Sequence, residues 1–537
     1  MLRSFASFDR SRPVAGLAFV ASLAMAQGAA ATTWRVQPDS VGHGSEYYAT
    51  VLEANAVAVA GDSIEVSNAA PLGTYHQSAT LALVDGVVYR GGFGPHFEGP
   101  NPVLYETTLK CEPPADSTDV PAVDATGFSS VFAGFTVTGG HAEFNGGGIY
   151  CGSGCSGTIR NCRVEGNQSL NVGGGIAVAQ SASPYIFNCD IRRNSATLRG
   201  GGISVAQVSS GTRIEFCRIV ACSSAVGGQS SGGGGGIFTA SPIQVTRCEI
   251  DSCYTGYRGG GLLTRNVSPY CAANQFKHCF AQQSGGAAFH ETGDGRHLNS
   301  SFEDCHASAG NGGGLFFQAG TWLVQGCFIR NCTASGRGGG VYYEAPTGAV
   351  LRLTEVVGNT STRGGGVGIV GSLFRTPLSV SVESCTIALN TANVADPGAG
   401  GGIHVFPEGN YADAIVNCIV AQQVKGSCIA TEGALNQPNI RFDCVWNGAA
   451  NPSPAYGLSC ADRTGINGNI QADPLFCDTA ARPPQLTLQA AGAGHLQSPC
   501  MDAGEGGIDM GAHPDATPCA LVAVEEASWG RIKARFR

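Results

Sequence analysis

The stretch Gly146-Gly147-Gly148-Ile149 returns as Gly173-Gly174-Gly175-Ile176 and again as Gly200-Gly201-Gly202-Ile203. The third glycine, or the residue that replaces it, lies at positions 148, 175, 202, 236, 261, 287, 314, 340, 366 and 402. The intervals are 27, 27, 34, 25, 26, 27, 26, 26 and 36 residues, so seven of the nine fall between 25 and 27. A fixed period of this length is typical of a solenoid in which each repeat forms one coil.

Two more positions recur once per period and predict vertical ladders. The first column holds Cys162, Cys189, Cys217, Cys248, Cys327 and Cys385. The second column holds Asn167, Asn194, Cys222, Cys253, Cys279, Cys305, Cys332, Asn359 and Asn390. Because neighbouring coils of a solenoid lie ~4.8 Å apart, stacked asparagine amides can hydrogen-bond from coil to coil.

The cysteines of these columns have two interpretations. They are either buried free thiols that act as small apolar fillers, or disulfides that staple one coil to the next, since the coil spacing falls within the Cα separation of a disulfide. Five consecutive cysteines, from Cys222 to Cys332, cannot all pair vertically, which favours free thiols in the ladder. Disulfides are more expected in the loop-rich segment between Cys428 and Cys519.

The N-terminus has the pattern of a secretory signal peptide. Arg3, Arg10 and Arg12 precede the apolar run Val14–Ala26, and small residues follow as far as Ala31. We therefore expect an exported protein, secreted or held at the cell surface, and 22 cysteines suit an oxidising compartment. An uncleaved anchor or a misassigned start is the alternative.

Composition narrows the range of partners. A net charge of −9 argues against nucleic acid, which attracts basic surfaces. No later run of about 18 apolar residues predicts a membrane span in the mature chain. We predict no cofactor and no metal, because no spacing of cysteine and histidine matches a zinc site. The oligomeric state stays open.

The two ends of the repeat array resemble known caps. An amphipathic segment over 47–60, followed by Gly61-Asp62, resembles the start of pectin-lyase-like right-handed β-helix proteins, in which a short helix covers the open end. The phrases Gly468-Asn469-Ile470 and Asp473-Pro474-Leu475-Phe476 resemble the closing segment of bacterial secreted β-helix repeat proteins. The predicted organisation is a signal peptide over 1–31, an N-terminal cap with first coils over 32–110, β-helix repeats over 111–430, last coils with a cysteine-rich cap over 431–519, and a tail over 520–537.

Together these features resemble right-handed parallel β-helix repeat proteins. The Gly-Gly-Gly-Ile…Asn pattern is similar to the repeats of polymorphic outer-membrane adhesins, and the resemblance covers roughly residues 33–519. It implies an all-β fold: a single right-handed parallel β-helix solenoid of roughly 12 or more coils, with a short N-terminal capping helix and a loop-rich C-terminal cap. The fold serves enzymes, adhesins and structural fibres alike, so it leaves the activity open.

The strand after each triplet carries the strongest functional signal. Its first position is uniformly apolar and must face the core, so its second and fourth positions face outward. The second position holds Phe238, Leu263, Phe289, Phe316 and Tyr342 in five successive coils. We call these five residues the aromatic stripe. Arg265, Glu291, Gln318 and Glu344 follow at the fourth position.

An exposed apolar stripe with a polar rim usually marks a binding surface. We therefore expect an exported, non-catalytic protein that binds a polysaccharide or a surface partner along this face, with Arg265 and Gln318 as polar contacts. The alternative is that a loop, such as the insertion near 227–235 or 375–397, covers the stripe and turns it into a second small core.

An enzymatic alternative uses the same face. Glu291 and Glu344 are 53 residues, or two coils, apart. That places them about 10 Å apart along the axis, close to the acid–base separation of inverting glycosidases. Arg265 would bind an acidic sugar, making the protein a lyase or hydrolase. Against this, Gly42-His43-Gly44 and Arg531-Ile532-Lys533, which resemble polygalacturonase motifs, lie at opposite ends of the chain without the aspartate motifs.

Two further interpretations remain. Arginine precedes the triplet at Arg199, Arg258, Arg337 and Arg363, either as a solvated turn or as a contact row for an acidic polymer. The protein as a whole could also be a structural spacer without a ligand.

Overall fold

The computed structural model describes most of the chain between residues 31 and 512. The described residues are 31–38, 44–70, 73–112, 119–207, 211–225, 232–371, 379–394, 396, 398–407, 413–433, 437–479, 481, 484–489 and 497–512. The predicted signal peptide, except residue 31, and the predicted tail lie outside these residues. So do 227–231 of the insertion near 227–235 and 375–378, 395 and 397 of the insertion near 375–397.

The fold consists of four parallel sheets that run the length of a β-helix. Sheet A has 16 strands: Tyr47–Tyr48, Thr33–Val36, Ser63–Ser67, Val88–Phe93, Val131–Ala133, Thr158–Arg160, Tyr185–Phe187, Arg213–Glu215, Gln244–Thr246, Tyr270–Ala272, Gly295–Leu298, Trp322–Gln325, Thr347–Arg352, Ser379–Glu383, Ala414–Val416 and Asn439–Arg441. Sheet B has 14: Thr74–Gln77, Thr107–Cys111, Phe135–Thr138, Arg163–Glu165, Asp190–Arg192, Arg218–Val220, Glu249–Asp251, Gln275–Lys277, Ser301–Glu303, Phe328–Arg330, Glu355–Val357, Thr386–Ala388, Ile419–Ala421 and Cys444–Trp446.

The other two sheets complete each coil. Sheet C has 10 short strands: His141–Ala142, Gln168–Ser169, Ser195–Ala196, Ser223–Ser224, Tyr254–Thr255, Phe280–Ala281, His306–Ala307, Thr333–Ala334, Thr360–Ser361 and Thr391–Ala392. Sheet D has 14: Leu81–Ala82, Val123–Asp124, Ile149–Cys151, Ile176–Val178, Ile203–Val205, Ile237–Thr239, Leu262–Thr264, Ala288–His290, Leu315–Phe317, Val341–Glu344, Val367–Val370, Gly400–Val405, Ser427–Thr431 and Tyr456–Leu458. Since sheets B and D each have 14 strands, the predicted solenoid of 12 or more coils is confirmed.

Each coil turns sharply at residues in the left-handed region. Asn161 (φ 53°) joins sheet A to sheet B, Gly166 (φ 65°) joins sheet B to sheet C, and Gly173 (φ 67°) precedes the strand of sheet D. The first two corners carry non-glycine residues in other coils, such as Phe216 and Arg193. The third corner is the first glycine of the triplet, where a Cβ would lie within 2.6 Å of the Ile176 carbonyl oxygen. Glycine is therefore required at the third corner and only convenient at the other two.

The coils stack in register, so like residues pile on like residues. Ile149, Ile176 and Ile203 pair in successive strands of sheet D, and all three are buried. The inward residues of sheets A and B, such as Ile186 and Ile219, belong to the same continuous core. This inward column is what the uniformly apolar first position of the strand predicts.

The asparagines of the second column bond from coil to coil. The backbone N–H and Nδ2 of Asn167 both donate to Asn194 Oδ1, at 2.9 and 3.1 Å, and Asn194 Nδ2 donates to the Val164 carbonyl at 2.8 Å. Asn359 and Asn390 repeat this arrangement. The ladder therefore satisfies buried polar groups at the corner between sheets B and C.

The cysteines of both columns are buried free thiols. Each thiol lies near backbone carbonyls, as Cys189 Sγ does at 3.6 Å from the Ile159 oxygen. This agrees with the first of the two interpretations. In the C-terminal segment Cys428, Cys444, Cys460 and Cys500 are also free, and Cys477 is disulfide-bonded.

One helix, α1 (Val51–Val57), packs on the first strands of sheet A. A capping box fixes its start: the Thr50 hydroxyl accepts from the Glu53 N–H and the Glu53 carboxylate accepts from the Thr50 N–H. At the other end, an antiparallel pair, Phe476–Asp478 and Gln485–Leu488, packs on the outer side of sheet B. Among the described residues, no helix combines the length and the apolar character that crossing a membrane requires.

We predict that Asn194→Ala lowers the free energy of unfolding by about 3 kcal/mol. The change removes the partner of the buried Asn167 N–H. It also removes one hydrogen bond from Asn167 Nδ2, which keeps its bond to the Val137 carbonyl, and one from the Val164 carbonyl. A lost partner of a buried polar group costs about 1–3 kcal/mol before relaxation. Asn393→Ala, an exposed control, should change stability by less than about 0.5 kcal/mol. Chemical denaturation measures both, and equal stability of the two variants would contradict a stabilising amide ladder.

A matched pair of glycine substitutions tests the corners. Gly166→Ala should cost about 1 kcal/mol, because only the left-handed backbone opposes it and the nearest atom to its Cβ lies at 3.6 Å. Gly173→Ala should cost more than about 2 kcal/mol, because its Cβ also meets the Ile176 oxygen at 2.6 Å. The reverse order of midpoints in denaturant would show that steric contact does not explain the triplet.

Candidate functional site

The aromatic stripe has the predicted register but not the predicted exposure. Phe238, Leu263, Phe289, Phe316 and Tyr342 pair in successive strands of sheet D, and the rings of Phe289 and Phe316 stack at 4.5 Å. Their side chains lie outside the main core in a separate cluster with Val370 and Phe406. They are only 0–4% exposed. The expectation of an open ligand-binding stripe is therefore wrong, and the stripe forms a second small core.

The glycine corner and the arginines explain this burial. The first glycine of the triplet turns the chain back over the second strand position: a Cβ on Gly338 would lie 2.7 Å from the Cβ of Tyr342. The guanidinium of Arg258 then lies 4.8 Å from the Phe289 ring, and that of Arg199 lies 5.0 Å from the Phe238 ring. The sequence correctly predicts that the side chains of the aromatic stripe alternate with core residues and point outward. It does not predict that the glycine corner covers them.

The residues of the catalytic alternative are held in a different arrangement. Arg265 Nε and Nη2 donate to the two oxygens of Glu291 at 2.7 and 3.0 Å, a bidentate pair one coil apart. Glu344 is half-buried, and burial raises its pKa despite the nearby charges of Arg258 and Arg337. Gln318 is half-buried beside them. Since both Glu291 oxygens bind Arg265, this carboxylate is poorly placed to activate a water, and the geometry does not favour the catalytic alternative.

An open groove lies elsewhere, at the corner between sheets A and B. We call it the corner groove; its volume is about 840 Å³. Its lining includes Pro102, Val103, Glu106, Arg160, Asn161, Arg163, Tyr185, Phe187, Asn188, Asp190, Glu215 and Phe216. The loop that carries Pro102 and Val103 forms one wall, and four neighbouring coils form the floor and the other wall.

Half-exposed aromatic rings line the far wall of the corner groove. Tyr185 and Phe187 are the outward residues on either side of the buried Ile186, and Phe216 stands at the left-handed corner of the next coil. The rings of Tyr185 and Phe187 are 5.4 Å apart, and those of Phe187 and Phe216 are 5.5 Å apart. They form a continuous apolar surface on the solvent side of the fold.

Polar groups border these rings. The Tyr185 hydroxyl donates to Glu215 Oε2 at 3.0 Å, and Asn188 Nδ2 donates to Asn161 Oδ1 at 2.8 Å. Burial, followed by the hydrogen bond to Glu215, raises the pKa of Tyr185 to about 12, so its hydroxyl remains a donor at neutral pH. Both asparagines are exposed and keep amide groups available to a ligand.

The charges of the corner groove are close to balanced. Arg163 Nη1 pairs with Glu106 at 2.8 Å, and its Nε lies 3.9 Å from Asp190 Oδ2. Asp190 Oδ1 is buried and makes no hydrogen bond within the described part of the chain. With Arg160 on one side and Glu215 on the other, the groove carries both signs of charge in similar number.

Part of this site was readable from the sequence. The side chains of Tyr185-Ile186-Phe187 point outward, inward and outward. The alternation along a strand that identifies the outward residues of sheet D therefore also identifies these two rings. Phe216 was not readable, because a corner position gives no periodic signal. The wall formed by Pro102 and Val103 belongs to a loop that the repeat does not predict, and the nearby Glu106 pairs with Arg163, 57 positions away.

Comparison with known proteins supports the fold. Residues 122–299 match the family model described as right handed beta helix region. No curated protein matches the chain. The family match covers the repeats that contain most of the corner groove, and the parallel sheets continue the same architecture on both sides of it. The chain folds as a right-handed parallel β-helix.

Proposed function

We propose that the protein is an exported, non-catalytic binder that takes an extended neutral glycan into the corner groove. The observation that supports this is the row of half-exposed rings, Tyr185, Phe187 and Phe216, beside exposed amides and carboxylates. The same chemistry was expected of the aromatic stripe, but the stripe is buried. The binding face therefore moves from sheet D to the corner between sheets A and B.

The groove matches the needs of a sugar polymer. Aromatic faces pack against the apolar C–H faces of pyranose rings, while amides and carboxylates take the hydroxyls. A volume of about 840 Å³ lies within the usual range of ligand sites. The lining extends over four neighbouring coils, which suits an extended polymer better than a small metabolite.

The charge balance favours a neutral ligand and binding without turnover. Glu106 accepts from Thr136 and Arg163, and Glu215 accepts from Tyr185. Asp190 lies near Arg163 and Arg192. Each carboxylate thus has a partner that holds it in place, whereas a hydrolase needs one carboxyl group that is free to donate a proton.

Phe187→Ala should weaken binding of a neutral polysaccharide by about tenfold, because it removes the central ring of the wall. The measurement is retardation in native gels cast with xylan or mixed-linkage β-glucan, followed by titration calorimetry with oligosaccharides of the retarding polymer. Tyr185→Ala should have a similar effect.

The matched controls remove an exposed aromatic ring that lies outside the corner groove. Tyr270 lies outward in sheet A with the Arg296 guanidinium 5.7 Å from its ring, as Arg213 lies 4.1 Å from Tyr185. Tyr270→Ala and Phe328→Ala should bind as the parent does. Equal retardation of Phe187→Ala and the parent would overturn the proposal, as would the absence of retardation by any neutral polysaccharide. New reducing ends or unsaturated sugars would identify an enzyme instead.

A further inference from the structure

Arginines form a second surface feature, on the outward side of sheet D. Besides Arg258 and Arg199, Arg265 lies 5.6 Å from the Phe238 ring and Arg337 lies 4.0 Å from the Phe406 ring. Together with Arg363 they make an arginine layer over the aromatic stripe. All five are half-buried. The layer lies on a different sheet from the corner groove and shares no residue with it.

Aromatic rings hold two of these guanidinium groups in position. Arg258 lies 4.8 Å from both the Tyr257 ring and the Phe289 ring, and Arg337 lies against Phe406. Contacts of this kind occupy the flat faces of a guanidinium and leave its N–H edge for other partners. The edge is the part that binds a carboxylate or sulfate in a fork.

The same two arginines lack an anionic partner in the described part of the chain. Arg265 binds Glu291, and Arg363 pairs with Glu432 at 2.6 Å. Neither an ion pair nor a hydrogen bond of the guanidinium group joins Arg258 or Arg337 to any described residue, and Arg258 Nε is buried without a partner among them. The backbone N–H of Arg337 donates to Asn311 Oδ1. Glu344 lies near enough for its charge to act on both, yet it pairs with neither.

The layer therefore carries an excess of positive charge. Its five arginines face three glutamates, Glu291, Glu344 and Glu432, in a chain whose net charge is −9. Arg258 and Arg337 precede triplets three coils apart, which is about 14 Å along the axis. Two guanidinium groups without an ion-pair partner among the described residues, at that separation, suit anionic groups repeated along one extended ligand.

We propose that the arginine layer on sheet D is a second binding site, for a linear acidic polysaccharide whose anionic groups pair with Arg258 and Arg337. The site is independent of the corner groove, so either can fail without the other. Covering the aromatic stripe is a structural role that all five arginines share. That structural role does not explain why Arg258 and Arg337 have no anionic partner among the described residues.

The test uses the full-length protein in native gels cast with polygalacturonate, dextran sulfate or dextran. We expect retardation by polygalacturonate, by dextran sulfate or by both, and none by dextran. The two charged polymers distinguish carboxylate from sulfate as the bound group. Arg258→Gln and Arg337→Gln should each raise the dissociation constant about tenfold, since each removes a charge-assisted fork.

Two variants separate binding from folding. Arg258→Lys keeps the charge and the ring contact but loses the fork, so it should fold as the parent does and still bind more weakly. Glu344→Gln removes the competing carboxylate and should strengthen binding roughly threefold, a gain that misfolding cannot produce. Arg296→Gln, on an aromatic ring of sheet A, is the matched control and should change nothing.

Several outcomes would overturn the proposal. These are no retardation by either acidic polymer, unchanged affinity in the double variant of Arg258 and Arg337, or weaker binding by Glu344→Gln. Duplex DNA that binds as tightly as polygalacturonate would identify a general polyanion surface instead of a glycan site. Phe187→Ala should leave polygalacturonate binding intact, which keeps this test separate from that of the corner groove.

Discussion

The structure depends on the in-register hydrogen bonding of each coil to the next. Every strand of sheets A to D has its neighbours one coil before and one coil after, so the spacing of ~4.8 Å governs every side chain. A residue type that suits the interior at one coil meets the same surroundings at the next. This is why isoleucines, asparagines and cysteines each recur in columns, and why Gln423 can continue the asparagine column one coil after Asn390.

The same constraint shapes the surface. Residues in the left-handed region recur at the same positions of successive coils. A side chain at or beside such a corner therefore belongs to a row of side chains along the axis. The corner groove and the arginine layer are both rows of this kind. One combines rings with neutral polar groups and balanced charges, and the other combines rings with arginines that outnumber the neighbouring glutamates. A β-helix can thus present two elongated surfaces of different chemistry on one rigid body.

Periodicity explains what could be predicted and what could not. The column of Asn167 and Asn194, the inward Ile176 and the outward direction of Phe289 all follow from the repeat, because each depends on contacts one coil away. The burial of Phe289 does not follow, since it depends on how far the glycine corner folds back over the strand. The corner groove was missed because Pro102 and Val103 belong to a loop outside the period. Sequence patterns therefore predicted the direction of side chains, whereas their burial depends on how corners and loops fold over them.

The buried free thiols have a consequence for how the chain reaches its native state. Neighbouring cysteines in a column project in parallel from adjacent strands, and each thiol is enclosed only when the coil above it has been laid down. Before that moment the same groups are accessible to any oxidant, and an extracellular medium supplies one. In such a medium, the folding of successive coils would compete with the random formation of disulfides. The contacts of a solenoid are local and sequential, and such contacts favour fast folding.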